Sequence, residues 1–515
     1  MYRNRYHMTS HTQKIHLFLQ YADKISSHKH VSLFVLFISI LYTILFCNIS
    51  YITDSYEYGI VASCWIDPNF IGMDCSQVNY LFRQPLPAIL VVLSYPFLDP
   101  YIAIGFWAWA SSSVLLWMIW YGGTKVFSNK LGYWLWLGFA ISPFFRNLNT
   151  FADARVIVLP FVLWAGLSLL IKRNSKMFVF SGAICCVLAF LTRIEYLLIL
   201  PIFIYVMLFV KRGSWSVTIS FFTGTLICWM GCIWLQGNIL SVSPRYWEGY
   251  LLQSTQVLPL RWSLDLFGMG IWSPKMRDVA LNYSPISMSL DSFDFYDLLY
   301  WIQLSVISYF PIWSWFVLIG GLVHAFFNNG SFKKFLVFSS LMLPSVAVMI
   351  LPQTRDHMFP HANTFIIWLV SLLGIIWSFD HISKMLSSKY NSICMLLLLS
   401  AHTFMSNATD LDSGLEFFPV SQKTTKWLKE NTPENSIIIS SYEVAPLVFR
   451  SNRRWEQWPT PMEWQLRLQT SHPVYVLVSK MDPYSIHPTA FVGWKEPVAY
   501  FTDQENDFLI VKLKP

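Results

Sequence analysis

The sequence predicts a polytopic α-helical membrane protein of about eleven transmembrane helices, N-terminus inside, with a re-entrant or interfacial helix and a small extracytoplasmic α/β domain at its C-terminus. Three observations carry this reading. Of 515 residues, 55% are hydrophobic and only 13% charged, about half the charged share of a soluble domain. Eleven apolar runs of near-spanning length recur along the first four-fifths of the chain. The lysines and arginines between those runs collect on one side when the runs are taken as alternating spans.

The charge deficit is uneven. Residues 406–515 hold 24 of the 65 charged residues, whereas residues 1–405 hold 41. A membrane body over 31–405, preceded by a cytoplasmic segment at 1–30 and followed by a soluble domain at 406–515, accounts for that split. Disorder, a coiled coil and a basic nucleic-acid binder are excluded, so no nucleic-acid partner is expected. The net charge of +7 reflects membrane orientation rather than an anionic partner.

The apolar runs lie near 31–50, 101–121, 131–145, 153–171, 177–192, 195–210, 216–236, 309–327, 335–352, 361–379 and 391–405. Most approach the roughly 17–25 residues that cross a bilayer as a helix. Pro85 to Phe97 is apolar but short and bracketed by prolines, which suits a re-entrant or interfacial helix. With the N-terminus inside, the inner segments carry 16 Lys/Arg against two acids, and the outer ones nine against fourteen. An odd span count then places the C-terminal domain outside.

Two outer loops stand before that domain, 51–84 and 237–297. The second spaces Trp247, Trp262, Phe267, Trp272 and Phe293 among charges, as amphipathic helices at a membrane surface do. Cys64 and Cys75 share the first loop and can pair on an oxidising face. The C-terminal domain opens with a helix-like run from Thr424 stopped by Asn431-Thr-Pro433. Strand-like runs follow at 436–440, 474–478 and 508–513. It offers no phosphate loop, metal spacing or nucleophilic triad.

Ionisable residues beside apolar spans need a reason to be there. Asp54, with Glu57 and Tyr58, follows the first span, where a carboxylate can act as a base on a hydroxyl. Arg83-Gln84 opens the short apolar stretch, and a guanidinium there can grip phosphate by paired hydrogen bonds. Asp153-Ala-Arg155 starts the fourth span. Arg193 and Glu195 interrupt strongly apolar sequence, two residues apart and so on different helix faces. Arg355, Asp356 and His357 form an outer turn before the tenth span, and His361 adds only a second imidazole, too few ligands for a metal. Under the charge-derived topology these groups share the outer face. Arginines beside carboxylates suit departure of a phosphate and deprotonation of a nucleophile.

In this order the motifs resemble the polytopic GT-C glycosyltransferases, particularly the protein-mannosyltransferase and aminoarabinose-transferase group (glycosyltransferase family 39). Asp54-Ser-x-x-Tyr58 is similar to that group's first-loop acidic motif. Arg83-Gln-Pro-Leu-Pro stands in place of its polar residue before Pro-Pro-Leu-Tyr-Pro. Leu191-Thr-Arg193-Ile-Glu195-Tyr-Leu-Leu is similar to Thr-Arg-Pro-Glu-Gly-Leu-Leu, and Arg355 to Pro360 to Arg-Tyr-x-x-Pro. Lys426 to Asn435 resembles the start of the outer domain appended to many bacterial members.

The resemblance implies a polyprenyl-phosphate sugar donor, an inverting displacement without metal or other cofactor, and a glycolipid, polysaccharide or protein acceptor. It implies Asp54 as general base and Asp153 as its assistant. Arg83, Arg193 and Arg355 would hold the donor phosphate or an anionic acceptor, with Glu57, Tyr58, Gln84, Glu195 and His357 in the substrate-binding set. The expected setting is the bilayer of a bacterial inner membrane, with the active site extracytoplasmic. A transporter or lipid flippase is the alternative class. It would require broken helices in matched halves, and no internal repeat is evident in the sequence.

Overall fold

The computed structural model describes residues 29–46, 53–67, 85–142, 145, 152–171, 175–193, 196, 203–204, 215–238, 316, 319, 323, 371–379, 391–405, 419–440, 444–457, 472–479, 497–502 and 507–514. Apolar runs satisfy their own backbone polar groups only as helices, and they do so here. The helices are α1 (Lys29–Phe46), α2 (Thr53–Ile66), α3 (Pro85–Ser94), α4 (Pro100–Val126), α5 (Asn129–Ile141), α6 (Ala154–Ile171), α7 (Lys176–Thr192), α8 (Trp215–Asn238) and α9 (Asn391–Met405). Residues 371–379 are helical as well. Among the described residues, 102–126 and 154–171 are long and apolar enough to cross a membrane, and four shorter apolar helices accompany them. The expected spans at 195–210, 309–327 and 335–352 lie largely or wholly outside the described residues.

Helix α4 is the hub, packing against α1, α2, α3, α5 and α6, while α6, α7 and α8 pack in sequence. Hydroxyls join the helices: Thr43 Oγ1 lies 2.6 Å from Ser113 Oγ, and Trp117 and Trp136 donate to Ser32 and Ser39 at 3.0 Å. Such polar contacts and small residues hold helices together where no hydrophobic driving force separates them from lipid. At Gly132 an added Cβ would lie 2.7 Å from Thr124 N and 2.8 Å from Trp120 O, so only glycine permits this α4–α5 approach. The other face of α1 presents Leu33, Phe34, Phe37, Ile44 and Leu45 outward.

The C-terminal region builds α10 (Pro419–Asn431), β1 (Ile437–Ser440), α11 (Ala445–Arg450), β2 (Arg454–Gln457), β3 (Val474–Ser479), β4 (Pro497–Thr502) and β5 (Asp507–Lys514). The five strands form one mixed sheet in the order β2-β1-β3-β5-β4. β2, β1 and β3 are parallel, with Ile437 opposite Arg454 and Val474, and β5 runs antiparallel between β3 and β4. Isoleucine at the first three positions of β1, and valine at every other position of β3, suit strands buried on both faces.

Arg453 ties the start of this region together. Its guanidinium donates to the carbonyls of Lys429, Thr432, Ser451 and Asn452 and to Thr432 Oγ1, at 2.7–3.2 Å. Carbonyls left open by the ends of α10 and α11 are thereby satisfied. Burial pushes the Arg453 guanidinium below its ordinary value, and the Glu434 carboxylate partly offsets this. Asn452 takes a left-handed conformation with φ 55°, which ends α11 and which asparagine tolerates.

One expectation changes. Residues 51–84 are not simply an outer loop, because α2 occupies Thr53–Ile66 and every side chain from Ser55 to Trp65 is buried. Its sequence TDSYEYGIVASCWI alternates polar and small residues without an apolar stripe, so periodicity alone did not reveal it.

Candidate functional site

The site forms where the ends of α2, α3, α6 and α7 meet. Ser55 Oγ, in the first turn of α2, donates to the carbonyl of Ala152, which precedes α6. That bond ties the residue after Asp54 to the residue before Asp153, joining two acidic motifs nearly a hundred positions apart. Leu86, at the start of α3, packs with Phe190 and Leu191 at the end of α7. The start of α3 and the end of α7, which Arg193 caps, therefore share a hydrophobic contact. A short connection makes α6 and α7 neighbours of opposite direction, so the start of α6 and the end of α7 fall at one end of the bundle.

The opposite end has a different character. Gly122 of α4 abuts Leu167 near the end of α6. Lys125, Lys130 and Lys176 sit on the helix ends there. The acidic and arginine motifs and this basic set thus lie at opposite ends of the bundle.

Asp153 is the chemically distinctive side chain. It immediately precedes α6, its carbonyl accepting from the amides of Val156 and Ile157 at 3.1 and 3.3 Å. An aspartate there ordinarily caps the helix by accepting from a first-turn amide with its side chain. Here the carboxylate turns instead to Arg155, with Oδ2 2.6 Å from Nε. Its Oδ1 is buried and has no hydrogen-bond partner among the described residues. Asp153 is 1% exposed, so its carboxylate is withdrawn from water.

Beside it, Glu57 is 3% exposed and Tyr58 1%, so the glutamate is not a wetted surface group. Arg193 caps α7 with extended backbone, its amide donating to Ala189 O at 2.9 Å, and its side chain is half-buried. Helix α7 ending at Thr192 frees Arg193 from the helical path on which its separation from Glu195 would be judged. Asp54 lies in the first turn of α2, and its side chain is outside the described part. Arg83, Gln84, Glu195, Arg355 and His357 lie outside the described residues.

Two residues assigned no role from sequence enter here. Arg155 is the ion-pair partner of Asp153. A two-residue spacing argues against a pair on one helix, but Asp153 stands before the helix, where that rule does not apply. Arg450, from α11, places its guanidinium 5.2 Å from the ring centroid of Tyr56 in α2. No local pattern announces a contact between residues so far apart in sequence. Cys64, near the end of α2, is disulfide-bonded, and its expected partner Cys75 lies outside the described residues. Among the described residues no group of three or more His, Cys, Asp or Glu side chains is arranged to hold a metal.

Solved structures with the same arrangement of helices decide the fold. The apo oligosaccharyltransferase of Archaeoglobus fulgidus is similar with a TM-score of 0.54 and 12% identity, over 88% of this chain and 70% of that one. The chain shares the fold of that enzyme. The same enzyme tethered to an acceptor peptide containing the NVT sequon matches with a TM-score of 0.50 and 12% identity, over 88% and 69% of the two chains. ArnT from Cupriavidus metallidurans, bound to undecaprenyl phosphate, aligns over 94% of this chain and 96% of its own, with a TM-score of 0.43 and 12% identity. No protein-family model and no curated protein matches the chain by sequence.

Proposed function

We propose that the chain is a glycosyltransferase that moves a sugar, hexosyl or pentosyl, from a polyprenyl-phosphate-linked donor to an acceptor at the outer face of the membrane. What supports this reading is that the start of α2, which carries Asp54, the start of α6 behind buried Asp153 and the end of α7 at Arg193 lie at one end of the bundle. In the proposed reaction the Asp54 carboxylate takes the proton of an acceptor hydroxyl or amine. The freed lone pair attacks the anomeric carbon, and the bond from that carbon to the phosphate oxygen breaks with inversion. The lipid phosphate leaves with a full negative charge, which Arg83, Arg193 and Arg355 stabilise. Asp153 assists by holding the acceptor or orienting the base. Glu57, Tyr58, Gln84, Glu195 and His357 shape the binding surface.

The disulfide at Cys64 supports an oxidising, extracytoplasmic location for this end of the bundle. So does the basic set at the far end, since lysine and arginine favour the cytoplasmic side. A bacterial inner membrane, with a glycolipid, polysaccharide or protein as acceptor, fits the appended C-terminal α/β region at 406–515. A transporter or flippase is not favoured by the fold.

The test is sugar transfer from synthetic polyprenyl-phosphate donors by the full chain in proteoliposomes, comparing wild type, Asp54→Asn and Arg193→Ala. The proposal expects transfer by wild type, near-complete loss in Asp54→Asn and a large drop in Arg193→Ala. Full activity of Asp54→Asn would remove the proposed base.

A further inference from the structure

We infer that Arg450 is a positioning residue, through which the C-terminal region holds the first turns of α2 in working geometry. The inference rests on the glycosyltransferase reading for its kinetic consequence but not for its structural one. Helix α11 packs on α2, and the Arg450 guanidinium faces the ring of Tyr56 at 5.2 Å. Tyr56 is wholly buried, between Ser55, whose hydroxyl reaches Ala152, and Glu57. A cation held over a desolvated ring is strongly attracted to it. The contact therefore acts on the segment that carries Asp54 and joins it to Asp153.

The arginine is itself held in place. It occupies the last turn of α11, where the helix dipole favours a positive charge. The next three residues form a rigid stop: Ser451 donates its amide to Leu447 O and Val448 O, Asn452 is left-handed, and Arg453 is pinned to the end of α10. Helix α10, that stop, Arg450 and Tyr56 form a continuous chain of contacts from the sheet to the site. Its consequence is a C-terminal region that assembles the site without supplying a reacting group.

Hydrogen exchange across α2 in the full chain, measured beside steady-state kinetics with a polyprenyl-phosphate donor, tests this. Arg450→Ala is expected to speed exchange at residues 55–62 and lower kcat about tenfold, leaving KM for the lipid donor within about twofold. Arg450→Lys, which keeps the cation, is expected to recover much of both. Tyr56→Leu is expected to reproduce Arg450→Ala, and the double variant to be no worse than either single one, as coupled partners are. Lys426→Ala, on the exposed face of α10, is expected to change neither readout. Unchanged α2 exchange in Arg450→Ala, or additive effects in the double variant, would overturn the inference. Wild type inactive on every such donor would count against the glycosyltransferase reading instead, and the exchange data would still decide the role of Arg450.

Discussion

Replacing Asp153 by asparagine should separate activity from stability. Two terms oppose each other at this carboxylate. Burying Oδ1 without a partner costs about 1–3 kcal/mol, and the close ion pair of Oδ2 with Arg155 offsets that cost. Asparagine keeps the shape and removes the charge, so both terms shrink together and the net change should stay within about 1 kcal/mol. For a chain of this size that moves Tm by about 2–4 °C or less. Chemistry has no such compensation: losing a preorganised charged group beside the reacting atoms costs about 10²–10³-fold in kcat. Thermal unfolding of the purified chain, run beside transfer from a polyprenyl-phosphate donor, reads both quantities. A Tm lowered by more than about 10 °C, with activity following the folded fraction, would refute the reasoning and make Asp153 a structural residue.

Four further outcomes follow from individual contacts. Arg453→Met should destabilise the C-terminal region by about 3 kcal/mol, because it strands the carbonyls of Lys429 and Thr432; limited proteolysis should then cut first within 419–457. Gly132→Val should abolish monodisperse protein on size exclusion, whereas Gly231→Val, where an added Cβ meets nothing within 4 Å, should not. Burial raises the Tyr475 phenol, so the folded state keeps a proton that the unfolded state has lost. Its contribution is complete below about pH 10 and disappears as pH rises through the folded value; Tyr475→Phe should flatten this alkaline decline in denaturant titrations. Non-reducing peptide mapping should find Cys64 linked to Cys75, and a Cys64 peptide carrying a free thiol would contradict the disulfide.

The legible parts of the sequence were those where one physical signal dominates. Apolar length alone located α1, α4, α6, α7 and α8 to within a few residues. Branched side chains located β1, β3 and β5. What escaped lacked such a signal. Helix α2 is buried among other helices and so needs no apolar stripe. β2 has the sequence RWEQ, and it is a strand because β1 offers it an edge, not because its residues prefer one. At the site, the motif residues were individually visible as costly charges beside spans. The Asp153–Arg155 pair and the Arg450–Tyr56 contact were not, since each depends on where the chain turns.

The placement of the charges carries more than their scarcity. A bundle that needed only solubility at its two ends could use either sign at both. Here Lys125, Lys130 and Lys176 gather at one end of the bundle, and the helices meeting at the other carry buried Asp153, buried Glu57, Arg155 and Arg193. Burying carboxylates is costly unless they are paired, as Asp153 is with Arg155. The Ser55–Ala152 bond and the Leu86–Leu191 packing show that the fold expends contacts to bring these segments together. Such convergence of segments far apart in sequence is what the proposed reaction between two substrates needs.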